Sequence, residues 1–405
     1  MGNKDDLASQ IVAATKDLHP SAPLIDLFGG MCSVAGAMAP TGRHAWANDV
    51  QHFAVLAGQC LLTSRHGPPP RETAQRVLAP LYRKNLAALR ERFGASATLE
   101  RRVLRAEEPT TYRRAADEWA HVGNDAELRA EAASLRSNPT EFPYRLASIT
   151  FAWGYFGMTQ AMQLDSLRYA IDSARTDRHL TRSEERWCRL ALLGTASRIA
   201  STPGHFAQFL RGETKPGFAR MQRQRKRAAW DGFLAGLDQL EPFGTNEWRR
   251  GNRVFRSDAL EIWPRLDNAN LEHAVVYADP PYSKEHYSRY YHVLESLERY
   301  DYPGSDGVGR YRDDRFRTPF SVRSEVERAT DQLCSEIADR GWTFALSYPD
   351  SGLLTAGLGL DIEDILSRHF HSVRVAVSVA TQHSTLGARH GDSRKPVNEY
   401  LWIAA

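Results

Sequence analysis

The sequence predicts an α/β protein: a doubly wound, mostly parallel sheet of seven strands, ending in an antiparallel hairpin and interrupted by a long helical insert. Three observations carry that expectation. Short strand-like runs ending in an acid recur at 24–26, 45–49, 254–258 and 275–279, as expected for sheet strands whose carboxyl ends open on a crevice. Between the second and third of these, residues 67–251 turn charged and rich in Ala and Leu at helical spacing. After the fourth come three more strand-like runs, at 342–348, 373–379 and 400–403, the last two placed to pair as a hairpin. Residues 1–66 and 252–405 are therefore expected to form one discontinuous domain around the sheet, with 67–251 inserted as a mainly helical domain.

With 405 residues, 42% hydrophobic and 25% charged, the composition is globular and neither collagen-like nor disordered. The opening residues lack the apolar core of a signal peptide, and no apolar run reaches the length of a membrane span, so a cytoplasmic protein is expected. Cys32, Cys60, Cys188 and Cys334 stand far apart without Cys-x-x-Cys spacing, which argues against a zinc site or a disulfide framework. A net charge of +3 is too small to imply nucleic acid by itself, so only local clustering can argue for it.

Residues 24–38 read as a strand that turns through Gly29 and Gly30 into a small-residue helix, where backbone can approach a ligand closely. The next strand ends at Asn48-Asp49. Its acid stands where a carboxylate would accept ribose hydroxyls, and equally where it would cap a helix over 50–62. Gly67 to Pro70 marks the boundary of the insert, and Leu81, Leu86, Leu89 and Phe93 repeat at helical spacing beyond it. Phe151 to Met158, aromatic and punctuated by glycine, is either a surface on which a base could rest or an aromatic plug packing the insert onto the rest of the chain. Leu164, Leu167 and Ile171 mark an amphipathic helix with Arg168 and Arg175 among its polar positions.

The densest basic run is Arg220 to Arg227, eight residues without an acid, in which Gln222 and Gln224 alternate with arginines. Arginines and glutamines in that pattern suit phosphates and base edges, so Arg220, Arg223, Arg225, Lys226 and Arg227 are the expected DNA contacts, against the alternative of a solvated helix face.

The strand at 254–258 ends in Asp258, a ligand-edge acid or a helix cap. The run Val275-Val276-Tyr277-Ala278-Asp279-Pro280-Pro281-Tyr282 organises the chain. Two prolines stop the strand by removing backbone donors, leaving Asp279 at its carboxyl end and Tyr282 on a rigid turn. That arrangement suits methyl transfer to an amine conjugated with an aromatic ring. A carboxylate and a backbone carbonyl can accept the amine hydrogens while Tyr282 stacks on the ring. The segment 283–300 is expected as a helix packed on the sheet, with Lys284, His286 and Arg289 beside the site. His286 and His292 lie six residues apart, on different helix faces, so no metal is expected. Residues 302–317 read either as a mobile segment or as an ordered loop laced with Asp and Arg pairs. The final hairpin connection carries Arg389, Arg394 and Lys395, which with Lys284 are further candidates for DNA contact.

Taken together these motifs resemble the Dam-like, alpha-ordered DNA adenine-N6 methyltransferases. Asp26-Leu27-Phe28-Gly29-Gly30, followed by Ser33, looks like their S-adenosylmethionine motif, Asn48-Asp49 like their ribose-binding acid, and Asp279 to Tyr282 like their catalytic motif, in the family's order. Gly2-Asn3-Lys4 resembles the short Gly-Lys element ahead of the cofactor motif, and Asp258 falls where the family contacts the cofactor's adenine. The resemblance implies a methyltransferase sheet, S-adenosylmethionine as the only cofactor, no metal, double-stranded DNA as partner and a nucleoid-associated protein; it leaves open a restriction or defence partner. One departure stands out: Cys32 replaces the last glycine of the family's cofactor motif. An RNA or protein-amide methyltransferase, or a silent nucleic-acid-binding protein on the same fold, are the alternatives.

Overall fold

The computed structural model describes residues 5–384 and 394–405. The chain divides into two compact units, one of His66–Glu241 with Ser288–Arg315, the other of the described residues up to Arg65 with Pro242–Tyr287 and Phe316–Ala405.

The chain forms nine strands among the described residues, of which β5 (Ser305–Asp306) and β6 (Tyr311–Arg312) pair only with each other. The other seven, all in the second unit, make one sheet: β1 (Leu24–Asp26), β2 (Ala45–Asn48), β3 (Arg253–Phe255), β4 (Val275–Ala278), β7 (Thr343–Pro349), β8 (Val373–Ser384) and β9 (Arg394–Ala404). Their order is β3-β2-β1-β4-β7-β9-β8. The first five run parallel and the last two pair antiparallel as the expected hairpin. β1, β2, β4 and β7 are buried throughout, as strands covered on both faces must be. Alternate residues feed opposite layers: Ile25, Val276, Ala278 and Phe344 pack with Val326, Leu333 and Ile337 of the helix Val326–Ala338. Leu24, Val275, Tyr277 and Ala345 pack with Leu7 and Ile11 of the helix Asp5–Thr15. A one-residue slip of β4 would exchange these two faces, so the apolar run fixes its register.

The first unit is helical, as the periodicity of the insert predicts. A 35-residue helix, Arg71–Arg105, runs with the helices Met158–Thr176, Arg182–Ile199 and Ala229–Gln239. Phe151, Trp153, Tyr155 and Phe156 are fully buried inside this unit, so the aromatic segment is core rather than an open platform, and Trp153 donates to Ser96 Oγ at 2.9 Å. Arg168, expected on a polar face, is also buried; it pairs with Asp172 and donates to the carbonyls of Leu297 and Glu298.

The domain boundaries need one correction. Residues 288–315, expected with the sheet, belong to the helical unit. Buried polar bonds explain why: Tyr300 donates to Asp165 at 2.6 Å, Tyr302 accepts from the Arg145 amide at 3.1 Å, and the His292 ring sits 2.9 Å from the Phe206 carbonyl. All of the helix Tyr287–Arg299 but its first residue thus belongs to the helical unit, where Arg289, expected beside the candidate catalytic turn, donates to the Tyr311 hydroxyl. The segment after it is ordered by its own charges. β5 and β6 make a small hairpin, with Arg312 bidentate on Asp301 at 2.7 and 2.8 Å.

The buried titratable groups of the helical unit predict acid lability. Burial lowers His292 and His121 from 6.5 to about 3, so the unfolded chain binds protons that the folded one refuses. Their contribution to stability is full above about pH 6.5 and is lost as pH falls towards 3. Asp165 and Glu298, raised by burial to about 6 and about 7, act oppositely, contributing most at low pH and least above those values. Between about pH 6.5 and 4.5 the protons refused by the histidines are nearly matched by those the carboxylates take up, so the melting temperature of the helical unit is expected to drop mainly between about pH 4.5 and 3, and His292→Leu to lessen that drop. A melting temperature that rises on acidification would show the carboxylates in control.

Candidate active site

Sheet register assembles the acids. Asp26 ends β1 opposite Tyr277 of β4, and Asp279 follows just beyond, so the two carboxylates finish neighbouring parallel strands at one edge. Asp26 also lies opposite Ala47 of β2, with Asp49 just beyond, and Asn48 lies opposite Phe255 of β3, with Asp258 beyond that. All four acids therefore fall at the carboxyl edge.

The turn after β1 is stitched to both neighbours. The Leu27 amide donates to the Tyr277 carbonyl at 3.0 Å and the Gly29 amide to the Asn48 carbonyl at 2.8 Å. Gly29 leaves little room for a side chain, since a Cβ there would stand a tight 3.1 Å from the Ala47 methyl and 3.3 Å from the Asn48 oxygen. Gly30 adopts a left-handed φ of 49° and donates its amide to Asp49 Oδ2 at 3.0 Å. Asp49 Oδ1 accepts the Gln51 amide at 2.9 Å. Both oxygens of Asp49 are thus oriented by backbone, while the helix His52–Leu61 starts after Gln51 with no side-chain cap, so Asp49 is not its N-cap. The Asn48 amide group, 1% exposed, donates to the carbonyls of Leu27 and Ser257 and leaves its Oδ1 without a hydrogen-bond partner. Asp26 is buried and accepts the Phe28 amide at 3.1 Å, Phe28 packs edge-on against Phe320, Ser33 opens the short helix Ser33–Ala37, and Asp258 accepts the Leu260 amide at 3.1 Å.

Cys32, where the family pattern has glycine, adopts φ 62° and ψ 29°. This is the left-handed region, which costs a non-glycine residue about 1–2 kcal/mol. Burial first, then the nearby Asp26 and Asp49, hold its thiol well above the usual range, so it stays protonated and unreactive. Burial of the sulfur offsets part of the strain, and Cys32→Gly is expected to unfold within about 1 kcal/mol of the native chain. Cys32→Val, branched at a left-handed position, should be clearly less stable. Urea unfolding of the two variants checks both statements.

At the candidate catalytic turn Pro280 and Pro281 are buried and Tyr282 is half-buried, with its ring edge-on to Tyr348 at 6.4 Å. The Tyr282 carbonyl accepts the Leu353 amide at 2.8 Å, and the Tyr348 hydroxyl accepts the Leu354 amide at 3.1 Å. Leu353–Gly357 is a wide turn in which the Gly357 amide reaches back to the Gly352 carbonyl, a geometry frequent at functional sites. Sequence reasoning assigned this support no role. Its signal was Tyr348-Pro349-Asp350, which repeats the aromatic, proline and acid punctuation of the Asp279 to Tyr282 turn. Lys284 is exposed close to that turn in sequence, and His286 Nδ1 accepts the Thr318 amide.

Residues 264–341 match the family model described as D12 class N6 adenine-specific DNA methyltransferase. The match covers less than half of the chain. The matched stretch contains Asp279 to Tyr282 and excludes the glycine turn and Asp49. Similar curated proteins are the type II methyltransferase M.NlaIII of Neisseria lactamica, 24% identical over 50% of this chain, the modification methylase StsI of Streptococcus sanguinis, 23% over 50%, and the type II methyltransferase M.FokI of Planomicrobium okeanokoites, 24% over 53%. The aligned stretch spans 53% of the first of these relatives and 27% and 29% of the others. No solved structure gives a significant match.

The remaining expected residues fall unevenly. Gly2, Asn3, Lys4 and Arg389 lie outside the described residues, and Arg394 and Lys395 open β9 opposite Ser384 and His383. In the basic run, Arg220, Arg223, Lys226 and Arg227 are exposed, although Arg220 donates to the Thr202 carbonyl and Arg227 to the Arg198 carbonyl. Arg225 is a correction. Its side chain is 2% exposed, 3.7 Å from Glu100, and donates to the Gly154 carbonyl at 2.7 Å, so it faces the core and not a phosphate. Gln222 is also turned inward, onto the Leu104 carbonyl. A helix face 11 residues long, Lys215–Arg225, cannot present every member of a basic run to one side. Among the described residues no group of acids, cysteines and histidines could hold a metal, and no helix is long and apolar enough to cross a membrane.

Proposed function

We propose that this protein transfers a methyl group to the N6 amine of adenine in double-stranded DNA. The observation that supports it most is the placement of Asp279 and the Pro-Pro-Tyr turn at the carboxyl end of β4, next in the sheet to the strand that ends in Asp26 and the glycine turn. The Asp279 carboxylate and the Pro280 carbonyl accept hydrogen bonds from the two N–H groups of the amine, raising its nucleophilicity, Asp279 is placed to take the one proton released as the methyl is transferred, and Tyr282 holds the extruded ring by stacking. S-adenosylmethionine is the methyl donor this reading implies, and it supplies an electrophilic methyl group. The acid-rich, glycine-cleared edge suits its positive charge. Asp26 and the Gly29-Gly30 backbone would hold the amino-acid end, Asp49 the ribose and Asp258 the adenine side. Incubation with labelled donor and DNA, followed by digestion and mass spectrometry, tests the reading through N6-methyladenine. Methyl transfer only to RNA or to a protein amide, in a competition that includes DNA, would replace the substrate; donor binding without turnover would mark a silent binding protein. The relatives are named as type II methyltransferases and modification methylases, and a cognate nuclease is the partner class this proposal carries.

Within the same reading, the exposed cations Arg220, Arg223, Lys226 and Arg227 contact the DNA backbone. Arg223→Gln with Lys226→Gln is expected to lower the slope of log affinity against log salt by roughly 0.9 for each phosphate no longer neutralised, with little change in fold. An unchanged slope would return this stretch to a solvated helix face.

A further inference from the structure

The helical unit contains a cavity of about 180 Å³ bordered by Tyr112, Trp153, Phe209, Arg113, Arg211 and Arg310, all members of that unit. Its floor carries an unusual charge. Arg310 is 4% exposed, its Nη1 donates to the carbonyls of Thr150 and Ala152, its guanidinium lies 5.4 Å over the Phe209 ring, and no acid pairs with it among the described residues. Its Nε has no hydrogen-bond partner, and neither has the buried Nε of Arg113 on the wall. A buried guanidinium without a counter-ion is costly, and two orphan donors at one cavity are what an anionic ligand would satisfy. Burial lowers Arg310 to about 10, in keeping with a cation lacking a counter-charge. At the rim Arg211 is half-occupied by Asp117 at 2.7 Å in an exposed pair, which screening leaves easy to exchange. The rest of the lining is aromatic, with His121, and aliphatic, and the volume exceeds the roughly 150 Å³ that holds one benzene ring. A wider groove bordered by Arg113, Arg114, Asp117 and Arg211 continues from the same side chains and leaves space for the remainder of a ligand.

We propose that this cavity binds a nucleoside monophosphate unit, its phosphate taken by Arg113, Arg211 and Arg310 and its base set against Phe209 and the aromatic wall. The choice of a nucleotide over other aromatic anions rests on the nucleic-acid reading of the chain. The unit comes either from the free nucleotide pool or from an extrahelical position in a DNA strand.

Isothermal titration of the full chain with deoxyadenosine monophosphate, thymidine monophosphate, inorganic phosphate and a short single-stranded oligonucleotide tests it, at low salt and pH 7.5. At least one mononucleotide or the oligonucleotide is expected to bind, at least tenfold more tightly than inorganic phosphate. Arg113→Gln and Phe209→Ala, both partly exposed and expected to fold, should each weaken that binding at least tenfold; Arg310→Gln should abolish it if its melting temperature shows a folded chain. Tighter binding of a mononucleotide assigns the free pool, and tighter binding of the oligonucleotide assigns a DNA strand. No binding of either, or binding that Arg113→Gln and Phe209→Ala leave unchanged, overturns the proposal, as does inorganic phosphate binding as tightly as every nucleotide. Methylation assayed on the same preparations separates the two readings: turnover with no nucleotide at this cavity sinks only the cavity, and nucleotide binding with no turnover sinks only the methyl transfer.

Discussion

Asp279→Ala is expected to lower single-turnover methylation of DNA by about 10²–10⁴-fold, the range of a positioned acid–base or charge-stabilising group. Asp279 follows the last strand residue of β4 and is fixed by two buried prolines, so removing its carboxylate should leave the sheet and the glycine turn in place. Donor affinity should change little, because the residues proposed to hold the donor sit on β1, β2 and the segment after β3. Equal loss of donor affinity would instead make Asp279 a binding residue, and wild-type turnover by the variant would remove it from the chemistry. Tyr282→Ala should weaken engagement of the target base by about 1–3 kcal/mol through lost stacking, with Tyr282→Phe mild, since the face of the ring is what the proposal uses. A Phe variant as impaired as the Ala variant would shift the role to the hydroxyl.

Arg225→Met is expected to destabilise the helical unit by about 3–5 kcal/mol, the cost of leaving a buried partner uncompensated. The Glu100 side chain beside it is 5% exposed, and its other oxygen accepts the Met158 amide at 2.6 Å at the start of the helix Met158–Thr176. Burial raises the Glu100 carboxyl, and Arg225, that amide and the Tyr112 hydroxyl oppose the rise. Without the arginine the carboxylate must protonate or pull the helix start apart. Denaturant unfolding should show the loss, and the double variant Glu100→Gln with Arg225→Met should recover much of it, because both charges are then gone. Arg223→Met, at an exposed position of the same helix, should stay within about 0.5 kcal/mol of the native chain. A comparably mild Arg225→Met would mean that water reaches Glu100 and that the pair contributes little. This result would also separate two arginines that the sequence presents as equivalents.

The sequence by itself determined the seven strands of the main sheet, the acids at the ends of β1, β2, β3 and β4, and the resemblance to the adenine methyltransferases. Apolar runs of period two or of continuous burial, stopped by glycine or paired prolines, are local signals, and the residues at 24–30 and 275–282 carry their motif without help from distant chain. Tertiary structure alone decided the rest. Cys32 could be read as strained or merely small until its φ of 62° placed it in the left-handed region. Asp49 could be a cap or a ligand acid until both its oxygens were found on the amides of Gly30 and Gln51 rather than at the start of the following helix. Arg225 and Arg223 are two residues apart in one basic run, yet only the packing of Lys215–Arg225 against Glu100 and Gly154 shows that one is core and the other surface. Residues 288–315 joined the helical unit because Tyr300, Tyr302 and His292 find their hydrogen-bond partners more than 80 residues away in the chain, and a buried polar group goes where its partner is. Local patterning fixes which segments are strands and helices and where a strand must stop; which side chain faces a partner, and which charge is left to meet a ligand, depends on contacts that no spacing along the chain encodes.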